Sequence, residues 1–103
     1  MDDIVFIGAP HETPAFAEAG LLCFQPAPGH LVERVVAEQG RCNLLAMTRE
    51  TFSALPPWLA RDLLVRRPGQ VFVIAQLPRT SAEKHLVLDE LRRKATRAKS
   101  SVA

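Results

Sequence analysis

Three features of the 103-residue sequence predict an α/β fold built on an open, four-stranded parallel sheet. Four short apolar runs are too continuous for strands exposed on one face, and suit strands covered on both. Stretches of helical periodicity separate them. Glycine and proline punctuate nearly every junction.

The first run is Ile4, Val5, Phe6 and Ile7, rich in β-branched and aromatic side chains and closed by Gly8. Thr13 followed by Pro14 reads as an N-cap with proline in the first helical position, where a missing N–H costs nothing. The short helix that follows runs through Ala19 and stops at Gly20, which adopts the left-handed conformation without a Cβ clash. Leu21, Leu22, Cys23 and Phe24 form the second run, ended by Pro26-Ala27-Pro28-Gly29. Leu31, Val32, Val35 and Val36 then recur at helical intervals among Glu33, Arg34 and Glu38, which predicts an amphipathic helix lying on the sheet and stopped by Gly40.

Leu44, Leu45, Ala46 and Met47 make the third strand, entered from Cys42, and Thr48 stands where it would cap the next helix. Pro56-Pro57 must break or restart that helix, so residues 49–64 are expected as a kinked or split helix with Pro57 opening its second piece. Trp58 is expected to pack this piece against the sheet. Arg66, Arg67, Pro68 and Gly69 form a polar turn, and residues 71–75 the fourth strand, closed by Pro78. Thr80 and Glu83 are a T-x-x-E capping box. From there Leu88, Leu91, Ala95 and Ala98, broadened by Val87, define the apolar stripe of a C-terminal helix.

Alternating strands and helices imply parallel pairing through right-handed crossovers. The expected strand order is 2-1-3-4, the receiver- or flavodoxin-like arrangement, with flanking helices and a C-terminal helix. One domain is expected, with 1–78 as its α/β sheet portion and 79–103 as a basic helix and tail. Residues 79–103 carry seven basic side chains against three acidic ones, a charge of +4, whereas residues 1–78 carry six against eight, a charge of −2. The overall charge of +2 is too small to argue for nucleic acid, but the tail is a distinct electrostatic unit, able to meet an acidic protein surface or to keep itself solvated.

Composition narrows the setting. Hydrophobic residues at 48% and charged residues at 23% exclude a disordered chain. Every apolar run is interrupted before bilayer-spanning length, and the Met-Asp-Asp start lacks a signal-peptide pattern, so a cytoplasmic location is expected. Cys23 and Cys42, placed in strands, are expected as reduced thiols.

Ligands of open α/β sheets bind beyond the carboxyl ends of the strands. After the first strand there is a single glycine, and Pro10 removes an amide, which disfavours phosphate. Receiver chemistry needs carboxylates there to hold a divalent cation. Asp2 and Asp3 precede the first strand, and the third ends at Met47-Thr48. His11 and Glu12 are expected as solvated loop residues, and His30 and His85 have no ligand spacing with each other or with the cysteines. No catalytic, cofactor-binding or metal site is therefore assigned, and no cofactor is expected.

The joint order of the motifs resembles a known family, the F subunit of the V-type and archaeal-type (V/A-type) rotary ATPases. Ile7-Gly8, Phe16, Ala19-Gly20 and Leu21 fall at the family's I-G-x(7)-F-x-x-A-G-[IVL] spacing; a hydrophobic strand ends in Thr48, and another closes on Pro78 before a terminal helix. The chain departs from the family pattern at Ala9-Pro10-His11, Ala15, Glu18 and Pro56-Pro57. The resemblance implies a non-catalytic central-stalk (rotor) component of a rotary ATPase or ATP synthase, peripheral to the membrane. Its expected partners are the coiled-coil D subunit of the stalk and the socket subunit that joins the rotor to the membrane ring. It further implies that the C-terminal helix is a contact element, with Leu88, Leu91 and Ala95 burying an apolar stripe while Arg92, Arg93 and Arg97 meet acidic residues. The alternative is a small receiver-like regulatory module acting through protein–protein contacts.

Overall fold

The computed structural model describes residues 4–66 and 69–100, the last three as backbone only. Asp2, Asp3, Arg67, Pro68 and the Ala98 side chain, each used in the sequence reading, lie outside it. The strands are β1 (Ile4–Ile7), β2 (Leu22–Phe24), β3 (Leu44–Thr48) and β4 (Val71–Ile74), and the helices are α1 (Pro14–Glu18), α2 (Leu31–Gln39), α3 (Arg49–Ser53), α4 (Pro57–Arg66) and α5 (Ser81–Ser100). All pairings are parallel, in the order β2-β1-β3-β4, with Val5 opposite Leu22 and Leu45, and Leu45 opposite Val71. This is the flavodoxin-like topology expected from the sequence.

The alternation of side chains along a strand divides the core in two. Ile4 and Phe6 of β1, Leu44 and Ala46 of β3, and Ile74 point to one face, where Phe16 of α1 and Leu88, Leu91 and Ala95 of α5 cover them. Val5, Ile7, Leu45 and Met47 point to the other, covered by Val35 of α2, Leu55, and Leu59 and Leu63 of α4, with Cys42 among them. Every residue of β1 and β3 is buried, as the unbroken apolar runs require. The Phe6 and Phe16 rings stack with centroids 4.3 Å apart.

Local chemistry follows the sequence at most junctions. The Thr48 hydroxyl accepts from Thr51 N–H at 3.2 Å and caps α3. The Glu83 N–H donates to Thr80 Oγ1 at 3.1 Å, and the Glu83 carboxylate reaches back to Arg79 N–H at 2.8 Å. The capping box thus closes one residue earlier than its usual reciprocal bond. Gly20 has φ of 90° and ends α1 as expected, whereas Gly40 ends α2 at φ of −91°. Thr13 is itself helical and makes no side-chain cap; its hydroxyl instead accepts from Gln25 Nε2.

Two expectations are corrected. Trp58 does not pack the split helix against the sheet: it is 60% exposed, because Leu59 and Leu63, one turn apart, take the inward face and leave residue 58 about 100° away from it. Cys42 lies ahead of β3 rather than within a strand, buried with its thiol donating to Glu38 O at 3.3 Å; Cys23 is in β2, and the two form no disulfide. Leu88, Leu91 and Ala95, the stripe expected at a partner contact, pack on the chain's own sheet at 6%, 0% and 5% exposure.

Candidate functional site

Two surfaces concentrate polar chemistry. The first is a cleft of about 550 Å³ at the carboxyl ends of β1, β3 and β4, lined by His11, Glu12, Thr48, Arg49, Glu50 and residues 74–79. It occupies the position where open α/β sheets hold ligands.

Its centre is Glu12, which was expected in solvent and is only 3% exposed. Gly8 makes this possible, since a Cβ there would come within 2.6 Å of Glu12 Oε1. The loop folds back so that Ala9 N–H donates to Glu12 Oε1 at 2.9 Å. The Thr51 hydroxyl donates to the same oxygen at 3.4 Å, and the Thr48 hydroxyl in turn donates to Thr51 Oγ1 at 3.3 Å. The start of α3 is thereby tied to the β1–α1 loop. Glu50, in the first turn of α3, and exposed His11 bring one ligand atom each to within 4.8 Å of one another and of the Glu12 carboxylate.

Carboxylates therefore do stand at the strand ends, supplied by a loop and a helix start rather than by the strands themselves. Spacing did not reveal them because residues 11, 12 and 50 are distant in sequence and a loop has no period to read. The one available signal was Gly8 four residues before Glu12, together with Thr48 as the cap that aims α3. Glu38, also 3% exposed, is a useful contrast. It is held by Arg34 at 3.2 Å and Arg41 at 3.8 Å, whereas Glu12 forms no ion pair among the described residues.

The second surface is the outer side of α5. Arg92, Arg93 and Arg97 are exposed there and border a shallow depression with Asp89 and Thr96. Lys94 turns inward, its ammonium 5.5 Å from the centre of the Phe72 ring, a distance at which cation–π attraction holds it to the sheet edge. Of the six residues expected at a partner contact, the structure thus separates two groups. The three arginines face outward, and Leu88, Leu91 and Ala95 anchor the helix that carries them. A tether from Lys84 Nζ to Glu18 Oε2 at 3.1 Å joins α5 to α1.

Among the described residues no helix is long and apolar enough to cross a membrane. Burial pushes the pKa of the Cys23 thiol up. A raised value makes it a poor nucleophile at neutral pH.

No family model and no curated protein matches the chain. A solved structure does, that of the F subunit of the V-type ATP synthase of Archaeoglobus fulgidus. The two superimpose with a TM-score of 0.62 at 20% sequence identity, over 72% of this chain and 98% of that one. The likeness establishes a shared fold.

Proposed function

We propose that the chain is a non-catalytic central-stalk component, the F subunit of a V/A-type rotary ATPase or ATP synthase. In this reading it binds the coiled-coil D subunit and the socket subunit and turns with the shaft. It thereby helps couple ATP hydrolysis or synthesis to proton or sodium transport. The observation that carries the reading is the match of nearly all of the archaeal F subunit, 98% of that chain, by a sequence whose motifs already fall in the family's order.

The charged face of α5 gives the reading a physical basis. Arg92, Arg93 and Arg97 project from a helix fixed to the sheet by Leu88, Leu91 and Ala95, so their side chains are presented in a fixed register. Exposed charges of this kind contribute about 0.2–1 kcal/mol each, and act mainly on encounter rate and orientation with an acidic partner. The apolar residues of α5 would meet that partner only if the helix left its own sheet. In the docked position the arginines carry the contact.

Co-expression with a cognate D subunit tests the proposal. A one-to-one complex stable on gel filtration is expected; a folded chain that elutes alone at every ratio overturns it.

A further inference from the structure

We propose that His11, Glu12 and Glu50 form a binding site for a divalent first-row transition cation at the carboxyl end of the sheet. The inference goes beyond the stalk reading and does not depend on it.

The case begins with Glu12. Its side chain is almost wholly removed from water, and buried carboxylates are stable when paired with a cation or a metal. The chain follows that rule at Glu38, which two arginines hold. At Glu12 it does not: both hydrogen bonds, from Ala9 N–H and the Thr51 hydroxyl, fall on Oε1. Among the described residues no hydrogen bond or ion pair reaches Oε2, although Glu12 lines the cleft. Oε2 is thus the part of an otherwise buried and anchored carboxylate that stays open to the water-accessible cleft, an anionic oxygen held in place and available to a cation.

The neighbouring side chains supply the remaining ligands. One atom each of His11, Glu12 and Glu50 lies within 4.8 Å of the others. Ligands of one zinc-sized ion, each about 2.0–2.2 Å from it, stand roughly 3–4 Å apart. Closing that difference requires only rotation of His11 and Glu50, both exposed, around a Glu12 that is fixed by its hydrogen bonds. One imidazole and two carboxylates suit Zn²⁺, Mn²⁺ or Fe²⁺ better than the all-oxygen cations Ca²⁺ and Mg²⁺. The cleft leaves the other coordination positions to water. Arg49 and Arg79 also line it and weaken cation binding electrostatically, so the site is expected to be selective in donor type and moderate in affinity.

The test uses the full chain with Mn²⁺ and Zn²⁺ as probes. In ¹H–¹⁵N spectra, sub-stoichiometric Mn²⁺ is expected to broaden the amides of Ala9, His11, Glu12, Glu50 and Thr51 first. Zn²⁺ should displace it and saturate at one equivalent. His11→Ala and Glu50→Gln alter exposed side chains and leave the fold intact; each is expected to weaken Zn²⁺ binding more than about tenfold. Glu12→Gln should abolish it, with its thermal midpoint recorded as the control for folding. Broadening centred on His30, His85 or the cysteines, no saturable binding, or affinity unchanged in His11→Ala and Glu50→Gln each overturns the site.

Discussion

A Cβ on Gly8 would lie 2.6 Å from Glu12 Oε1 and 2.8 Å from Cε1 of Phe6, so glycine is required here by close approach rather than by backbone dihedral. Among the described residues only Gly20 and Gly69 have positive φ. Gly8→Ala is expected to force the buried carboxylate off its Ala9 N–H or to push the Phe6 ring out of its stack on Phe16. Overpacking of this kind costs about 1–3 kcal/mol. Thermal or urea unfolding measures it, and an unchanged midpoint would show that the loop relaxes freely. Gly40→Ala, with open space around its Cβ and negative φ, is the control expected to leave stability nearly unchanged.

The covering of one sheet face by α5 leads to a second expectation. Without residues 79–103, Ile4, Phe6, Phe16, Leu44, Ala46 and Ile74 lose the side chains of Leu88, Leu91 and Ala95 that lie over them. Replacing Leu91 alone by Ala should cost about 2–5 kcal/mol. That is a large share of the roughly 5–15 kcal/mol stabilising a domain of this kind. Truncation after Pro78 is therefore expected to give a chain that binds a hydrophobic dye and unfolds without cooperativity. A sharp unfolding transition in the truncated chain would mean that the sheet portion is self-sufficient and α5 an appendage.

How far the sequence could be read follows from the same elements. Ile4–Ile7 and Leu44–Thr48 announced doubly covered strands because no polar residue interrupts them, and Thr48, Thr80 and Glu83 marked helix starts by chemistry that is local in sequence. The stripe of Leu88, Leu91 and Ala95 was visible as a stripe, but period alone does not distinguish a helix's own sheet from a partner. Trp58 was misplaced by a single residue of phase after Pro57, since Leu59 and Leu63 satisfy the same pattern. Burial of Glu12 depends on a loop folding back under Gly8, a relationship between non-periodic residues for which Gly8 and the Thr48 cap were the only local hints.

The Cys23 thiol donates to Leu21 O at 3.5 Å, and burial raises its pKa above the ordinary value. Only the thiolate reacts with alkylating agents, so at pH 7–8 the reactive fraction is smaller than for an ordinary cysteine. Iodoacetamide should modify Cys23 slowly, and its rate against pH should turn upward at higher pH than for a free thiol. The linkage has the same sign. The folded chain holds this proton to higher pH than the unfolded one, so the group's contribution to stability is constant below the unfolded value and is lost as pH rises through the folded one. A rate profile bending at or below the ordinary cysteine value would contradict this.

The three outward arginines of α5 separate stability from association. Arg92→Gln, Arg93→Gln and Arg97→Gln together remove three positive charges from side chains that pack on nothing in the core, so the thermal midpoint should stay within the roughly ±0.5 kcal/mol typical of surface changes. Binding to an acidic coiled-coil partner should weaken chiefly through a slower association rate. At 0.15 M salt the screening length is about 8 Å, against about 30 Å at 0.01 M, so the variant should also lose most of the salt dependence of that rate. Surface plasmon resonance at the two ionic strengths measures both quantities. Equal association rates and equal salt slopes for variant and parent would place the partner contact on another face of the molecule, where exposed Trp58, Leu64 and Val65 of α4 would be the next residues to vary.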